Sequence, residues 1–133
     1  MPYDVKNWTV LVVDDERDNL EIAARIFSFN GATVHTARHG EEGLEVLRDI
    51  QPTLILMDLS MPRMSGWELV ARLRADDRWD HLPLIIVAAY YRIAEEAERL
   101  GAHAWLQKPI DIGRLVGIVE DACGGSNGKV RHA

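Results

Sequence analysis

Hydrophobic residues in this chain fall into two alternating regimes. Short runs rich in Val, Ile and Leu recur at Trp8–Val13, Ala32–Thr36, Thr53–Met57, Leu84–Val87 and His103–Leu106. The first, third and fourth are near-continuous, which is how strands covered on both faces of a parallel sheet read. Between these runs apolar residues return with helical period: Leu20, Ala24 and Phe27, then Leu69 and Leu73, then Ile93, Ala97 and Leu100. Leu44 and Leu47 make a weaker stripe interrupted by Gly43. Ile112, Leu115, Val116, Val119 and Ala122 form the clearest amphipathic face. Breakers stand at the junctions, at Asn30-Gly31, Gly40, Pro52, Pro62, Pro83 and Gly101. Five strands alternating with five helices predict βαβ units, right-handed crossovers and a three-layer α/β sandwich around a parallel sheet.

This pattern fills residues 8–123 as one domain, with no repeat and no attached effector module. Residues 124–133 are polar, Gly-rich and unpatterned, and are expected to form a flexible tail. The 133 residues carry 15 Lys plus Arg against 21 Asp plus Glu, a net charge of −6. That balance disfavours nucleic acid as a partner, since phosphate-backbone binders carry basic patches. The longest apolar run, Leu84–Tyr91, is far below the roughly 20 residues that span a bilayer, and no export-type stretch opens the sequence. A single cysteine, Cys123, excludes an intramolecular disulfide and fits a reducing, cytoplasmic location.

In open α/β sheets the working site lies outside the carboxyl ends of the strands. There the first strand ends in Asp14-Asp15-Glu16, the third in Asp58, the fourth in Ala88-Ala89 and the fifth in Lys108-Pro109. Taken singly, Asp14 and Asp15 read equally well as helix caps and Asp58 as a turn former, while Lys108 reads as a solvated lysine. Together they differ: carboxylates crowded at one sheet end repel one another unless a cation sits among them. Hard oxygen ligands with room for water suit Mg²⁺ better than zinc. A phosphoryl group sharing that ion would find its positive partner in Lys108.

Three motifs carry a family likeness: Val-Val-Asp14-Asp15-Glu16, Leu-Met-Asp58-Leu-Ser-Met61-Pro62-Arg-Met-Ser-Gly66 and Leu-Gln-Lys108-Pro109. In this order and on these strand ends, the chain resembles the receiver domain of bacterial two-component response regulators, with its CheY-like fold. The resemblance implies strand order 2-1-3-4-5 and a phosphoprotein that assists its own phosphorylation and dephosphorylation without turning over a separate substrate. It implies Asp58 as phosphoacceptor, charged by a sensor histidine kinase, a phosphotransfer protein or a small phosphodonor. Asp15, Asp58 and the Ser60 carbonyl would ligate Mg²⁺, with Asp14 acting through a bound water. Lys108 would hold a phosphoryl oxygen, next to a cis Lys108–Pro109 bond. An unknown downstream protein would read the face formed by the fourth helix, fifth strand and fifth helix.

Departures from the family pattern fall in the switching apparatus. Ala88 stands where members carry Thr or Ser, Trp105 where they carry Tyr or Phe, and the Ala88–Lys108 span is shorter than usual. Tyr90 follows the active-site strand and is a third switch position, placed to cover the phosphoryl group. Ala88 motivates an alternative, a docking module whose phosphorylation is weakly coupled to output. A flavodoxin-like electron carrier fits poorly, because Asp-Asp-Glu after the first strand repels a flavin phosphate. His35 and His39 read as surface residues, Trp67 and Trp79 as packing around the third helix, and Cys123 as packing on the last.

Overall fold

The computed structural model describes residues 8–59, 65–88, 93–108, 113–115, 117 and 131–132. Its elements run β1 (Thr9–Val13), α1 (Arg17–Phe29), β2 (Thr33–Ala37), α2 (Gly40–Asp49), β3 (Leu54–Asp58), α3 (Gly66–Arg74), β4 (Leu84–Ala88), α4 (Ile93–Arg99), β5 (Ala104–Gln107) and β6 (Arg131–His132). Residues 113–115 and 117 are helical, where the fifth helix is expected. Ile112, Val116, Val119, Ala122 and Cys123 lie outside the described residues.

All strand pairs are parallel, in the order β2-β1-β3-β4-β5-β6. The first five follow the expected 2-1-3-4-5. A short sixth strand follows on the far side of β5. Arg131 and His132 pair with Ala104 and Trp105, occupying backbone groups that a β5 edge would otherwise leave open. Two residues with no apolar alternation carry no strand signal, so the pattern missed them.

Strand residues divide by alternation between two apolar layers. Leu11, Val13, Ile55, Met57, Ile86 and Ala88 face Leu47 of α2, Leu69 and Leu73 of α3 and Ala97 of α4. Val10, Val12, Leu56, Val87 and Leu106 face Leu20, Ala23 and Phe27 of α1, together with Leu115. Gly43, which interrupts the α2 stripe in sequence, belongs to the buried face. A Cβ there would meet Leu69 and Val13 side-chain carbons at 3.5 Å, an ordinary contact distance, so this point of α2 packs against β1 and α3. Trp79 is buried and Trp67 half-buried, both in the packing role expected of them. His39 has a specific role: its Nδ1 accepts the Glu42 N–H at 3.2 Å as the α2 cap. His35 is half-buried on edge strand β2.

Two local features fix the sheet ends. Gly66 opens α3, with Ser65 capping through the Glu68 N–H at 3.3 Å. A Cβ on Gly66 would lie 2.5 Å from both the Asp58 carbonyl oxygen and the Leu59 Cα, backbone atoms that cannot swing aside. At the opposite end, Arg74 donates to the carbonyls of Asp80, Leu82 and Gly101. Beside it, His103 Nδ1 accepts the Leu84 N–H at 3.3 Å. Burial, and then the Arg74 charge, hold the His103 pKa below the ordinary 6.5.

Gly66→Ala is expected to destabilise by about 1–3 kcal/mol, the usual cost of overpacking. Gly43→Ala, with ordinary contacts and a gain in helix propensity of up to about 1 kcal/mol, should be neutral or stabilising. Urea unfolding of both variants checks this opposition of sign. The unfolded chain binds a proton at His103 more readily than the folded one, so its contribution to stability is present above pH 6.5 and is lost as pH falls below it. Wild-type unfolding free energy should therefore drop more steeply between pH 7 and pH 5 than that of His103→Asn. Parallel slopes would remove His103 from the acid response.

Candidate functional site

Strand order reverses at β1, since the chain leaves it first for β2 on one side and then for β3 on the other. The carboxyl ends of β1 and β3 therefore flank the natural crevice of the sheet. Asp14 follows β1 directly and Asp58 is the last residue of β3. Each is only 3% exposed, and they are the only buried charged residues among those described. The register pairs Val13 with Met57 across β1 and β3, which brings the two acids side by side.

Lys108 reaches them from the end of β5, where its N–H donates to the Ala88 carbonyl at 2.9 Å. Its Nζ lies 2.8 Å from Glu16 Oε1, 3.1 Å from Asp58 Oδ2 and 3.4 Å from Asp14 Oδ1. Burial opposes the Lys108 charge, yet the bond to Glu16 and the fields of Asp14 and Asp58 outweigh it and push its pKa above the ordinary lysine value. The Asp14 pKa is raised as well, which for a carboxyl group disfavours the charged form. Burial is the cause, against the lowering effects of the Glu16 N–H and Lys108. A carboxylate held above its ordinary pKa by desolvation gains from an added cation.

Donors for such a cation are at hand. Carboxylate oxygens of Asp14, Asp15 and Glu16 can lie within 4.8 Å of one another, Asp14 buried and the other two exposed. This all-oxygen, open-sided set fits a hard divalent ion such as Mg²⁺. Asp14, Asn19 and Asp58 also line one recess with Val13, Ala23 and Met57.

A family model described as the response regulator receiver domain matches residues 10–120. The chain belongs to the response regulator receiver domain family. DivK, the polar-differentiation response regulator of Brucella anthropi, is 32% identical over 119 residues, spanning 87% of this chain and 96% of that protein. The chemotaxis response regulator CheY4 of Vibrio cholerae superposes with a TM-score of 0.80 at 26% identity, covering 86% of this chain and 98% of that one. The Francisella response regulator 1452 receiver domain gives 0.79 at 28% identity, covering 89% and 98%. Phosphorylation on aspartate and Mg²⁺ binding at the acidic pocket are general properties of receivers, which work with histidine kinases or phosphotransfer proteins and downstream targets.

The receiver brings together Asp14, Asp15, Asp58 and Lys108, four residues expected at its site. Ala88 is buried at the end of β4, beside the Lys108 backbone. Trp105 is half-buried and packs against the layer that holds α3 and α4. Ser60, Tyr90 and Pro109 lie outside the described residues. No helix among the described residues is long and apolar enough to cross a membrane.

Two residues of the site escaped the sequence reading. Glu16 was visible as the third acid after β1, and its closeness to a lysine 92 positions on appears only in the fold. Asn19 carries no signal beyond its place in the first turn of α1.

With Mg²⁺ at about ten times its dissociation constant, mass action stabilises the receiver by about 1.4 kcal/mol. Thermal unfolding with and without the ion measures this, and the gain should shrink in Asp15→Ala. An equal gain in that variant would place the ion elsewhere.

Proposed function

We propose that this receiver takes a phosphoryl group on Asp58 and signals through protein–protein contacts. The observation that carries the reading is the buried Asp58 carboxylate, held 3.1 Å from the Lys108 ammonium at the switch point of the sheet. An Asp58 oxygen attacks the phosphorus of a histidine kinase phosphohistidine, a phosphotransfer protein or a small donor such as acetyl phosphate. The bond from phosphorus to the donor breaks, and an aspartyl phosphate remains. Lys108 meets the charge on a phosphoryl oxygen, so positioning and neutralisation are the main tasks of the protein. Asp14, Asp15, Asp58 and the Ser60 carbonyl are the residues that would hold Mg²⁺, whose charge neutralises the transferring group. A cytoplasmic location suits these partners.

A second reading rests on Ala88. Its side chain is buried at the end of β4 and carries no hydroxyl, so it cannot donate a hydrogen bond to a phosphoryl oxygen. Such a bond to a charged group contributes about 1.5–3 kcal/mol, and coupling between sites is typically about 1–3 kcal/mol. Phosphorylation would then proceed with weak coupling to Trp105 and the face of α4, β5 and the fifth helix. Tyr90 has a separate proposed role, obstructing an attacking water and so prolonging the phosphorylated state.

Intact mass after incubation with Mg²⁺ and acetyl phosphate tests the acceptor: a phosphoryl gain is expected in wild type and absent in Asp58→Asn. A gain that persists in the variant overturns the assignment. Amide shifts on the α4–β5 face, with and without beryllofluoride, separate the two readings. Small changes in wild type that grow in Ala88→Thr indicate weak coupling. Large wild-type changes, no bigger in Ala88→Thr, indicate a switch that works without that hydroxyl.

A further inference from the structure

Glu16 is the closest partner of Lys108, nearer than either buried aspartate. It stands at the N-cap of α1 in extended conformation, where a side chain usually accepts a helix N–H. Here the side chain makes no capping bond. Asp14 Oδ1 takes the Glu16 backbone N–H at 2.9 Å, and the Glu16 carboxylate turns to Lys108 instead. An ammonium has three N–H donors, and three carboxylates lie within 3.4 Å of this one. Its donors are therefore fully engaged before any anion arrives. Of the three acids, only Glu16 is exposed, with 59% of its side chain open, and it alone has room to withdraw.

We propose that Glu16 is a positioning residue that holds Lys108 in the resting site and weakens the site for phosphoryl-type anions. The inference rests on the proposed acceptor role of Asp58. Two effects act in the same direction. Glu16 occupies a donor that a phosphoryl oxygen would use, and its negative charge stands beside the place where further negative charge must accumulate. Releasing Lys108 from Glu16 is thus part of the cost of loading the site, and Glu16 sets the fraction of chains loaded at a given donor concentration.

Beryllofluoride, titrated at saturating Mg²⁺ and followed by fluorine NMR, tests this on the intact chain. Glu16→Gln keeps the shape and removes the charge, and it disturbs no capping bond. The expected result is tighter beryllofluoride binding by about fivefold, the size of a partly exposed ion pair. The same change in a Lys108→Met background should have a clearly smaller effect, because there is no ammonium left to release. An equal gain in both backgrounds overturns the holding role and leaves long-range repulsion. Unchanged or weaker binding in Glu16→Gln overturns the proposal outright, the latter pointing to Glu16 as a metal ligand. Absence of saturable binding in wild type defeats the acceptor reading as well, which separates the two failures.

Discussion

Anionic side chains gathered at one end of a sheet repel one another unless a cation stands among them. Asp14 and Asp58 are both nearly sealed from water at adjoining strand ends, and Asp15 and Glu16 add charge at the rim. Lys108 is the counterion, bonded to three of the four. The rest of the structure serves this balance. Apolar strands bury the two acids, the parallel order places β1 and β3 side by side, and β5 delivers the ammonium from across the sheet. One fixed positive charge against four negative ones leaves a deficit, which is why the site is suited to a divalent ion.

The same charge arithmetic governs response to an anion. A phosphoryl group adds negative charge where carboxylates already crowd, so Lys108 must serve two masters unless one lets go. Glu16 is the exposed member of the set and Asp58 the buried one, so release is easier at Glu16. Farther from the acceptor, transmission depends on what the fourth strand offers. Ala88 gives a backbone carbonyl to the Lys108 N–H and a methyl group to the core. Its contribution at this point is packing, whereas the charge balance belongs to β1, β3 and β5.

Most of the fold was legible because its central strands, β1, β3 and β4, are covered on both faces. Ile55, Leu56 and Met57, or Ile85, Ile86 and Val87, can be apolar in unbroken succession only where helices lie above and below. The place of the candidate site was legible for a related reason: Asp58 ends such a run, buried at the carboxyl end of β3. What escaped the sequence depends on contacts between distant segments or on close approach. Gly43 reads as a gap in a stripe but is the point where α2 meets Val13 and Leu69. Glu16 reads as a third acid but is the nearest partner of Lys108. Arg131 and His132 have no alternation to mark them, and their pairing with β5 appears only in the fold.

Backbone amide shifts during a Mg²⁺ titration test the charge-balance account most directly. A deficit centred on the strand ends predicts saturable changes concentrated at Asp14 to Glu16, at Asp58 and Leu59, and at Lys108, with the far end of the sheet around Leu84 and His103 unaffected. Changes that fail to saturate, or that centre on the exposed acids of α2 and α4, would contradict it.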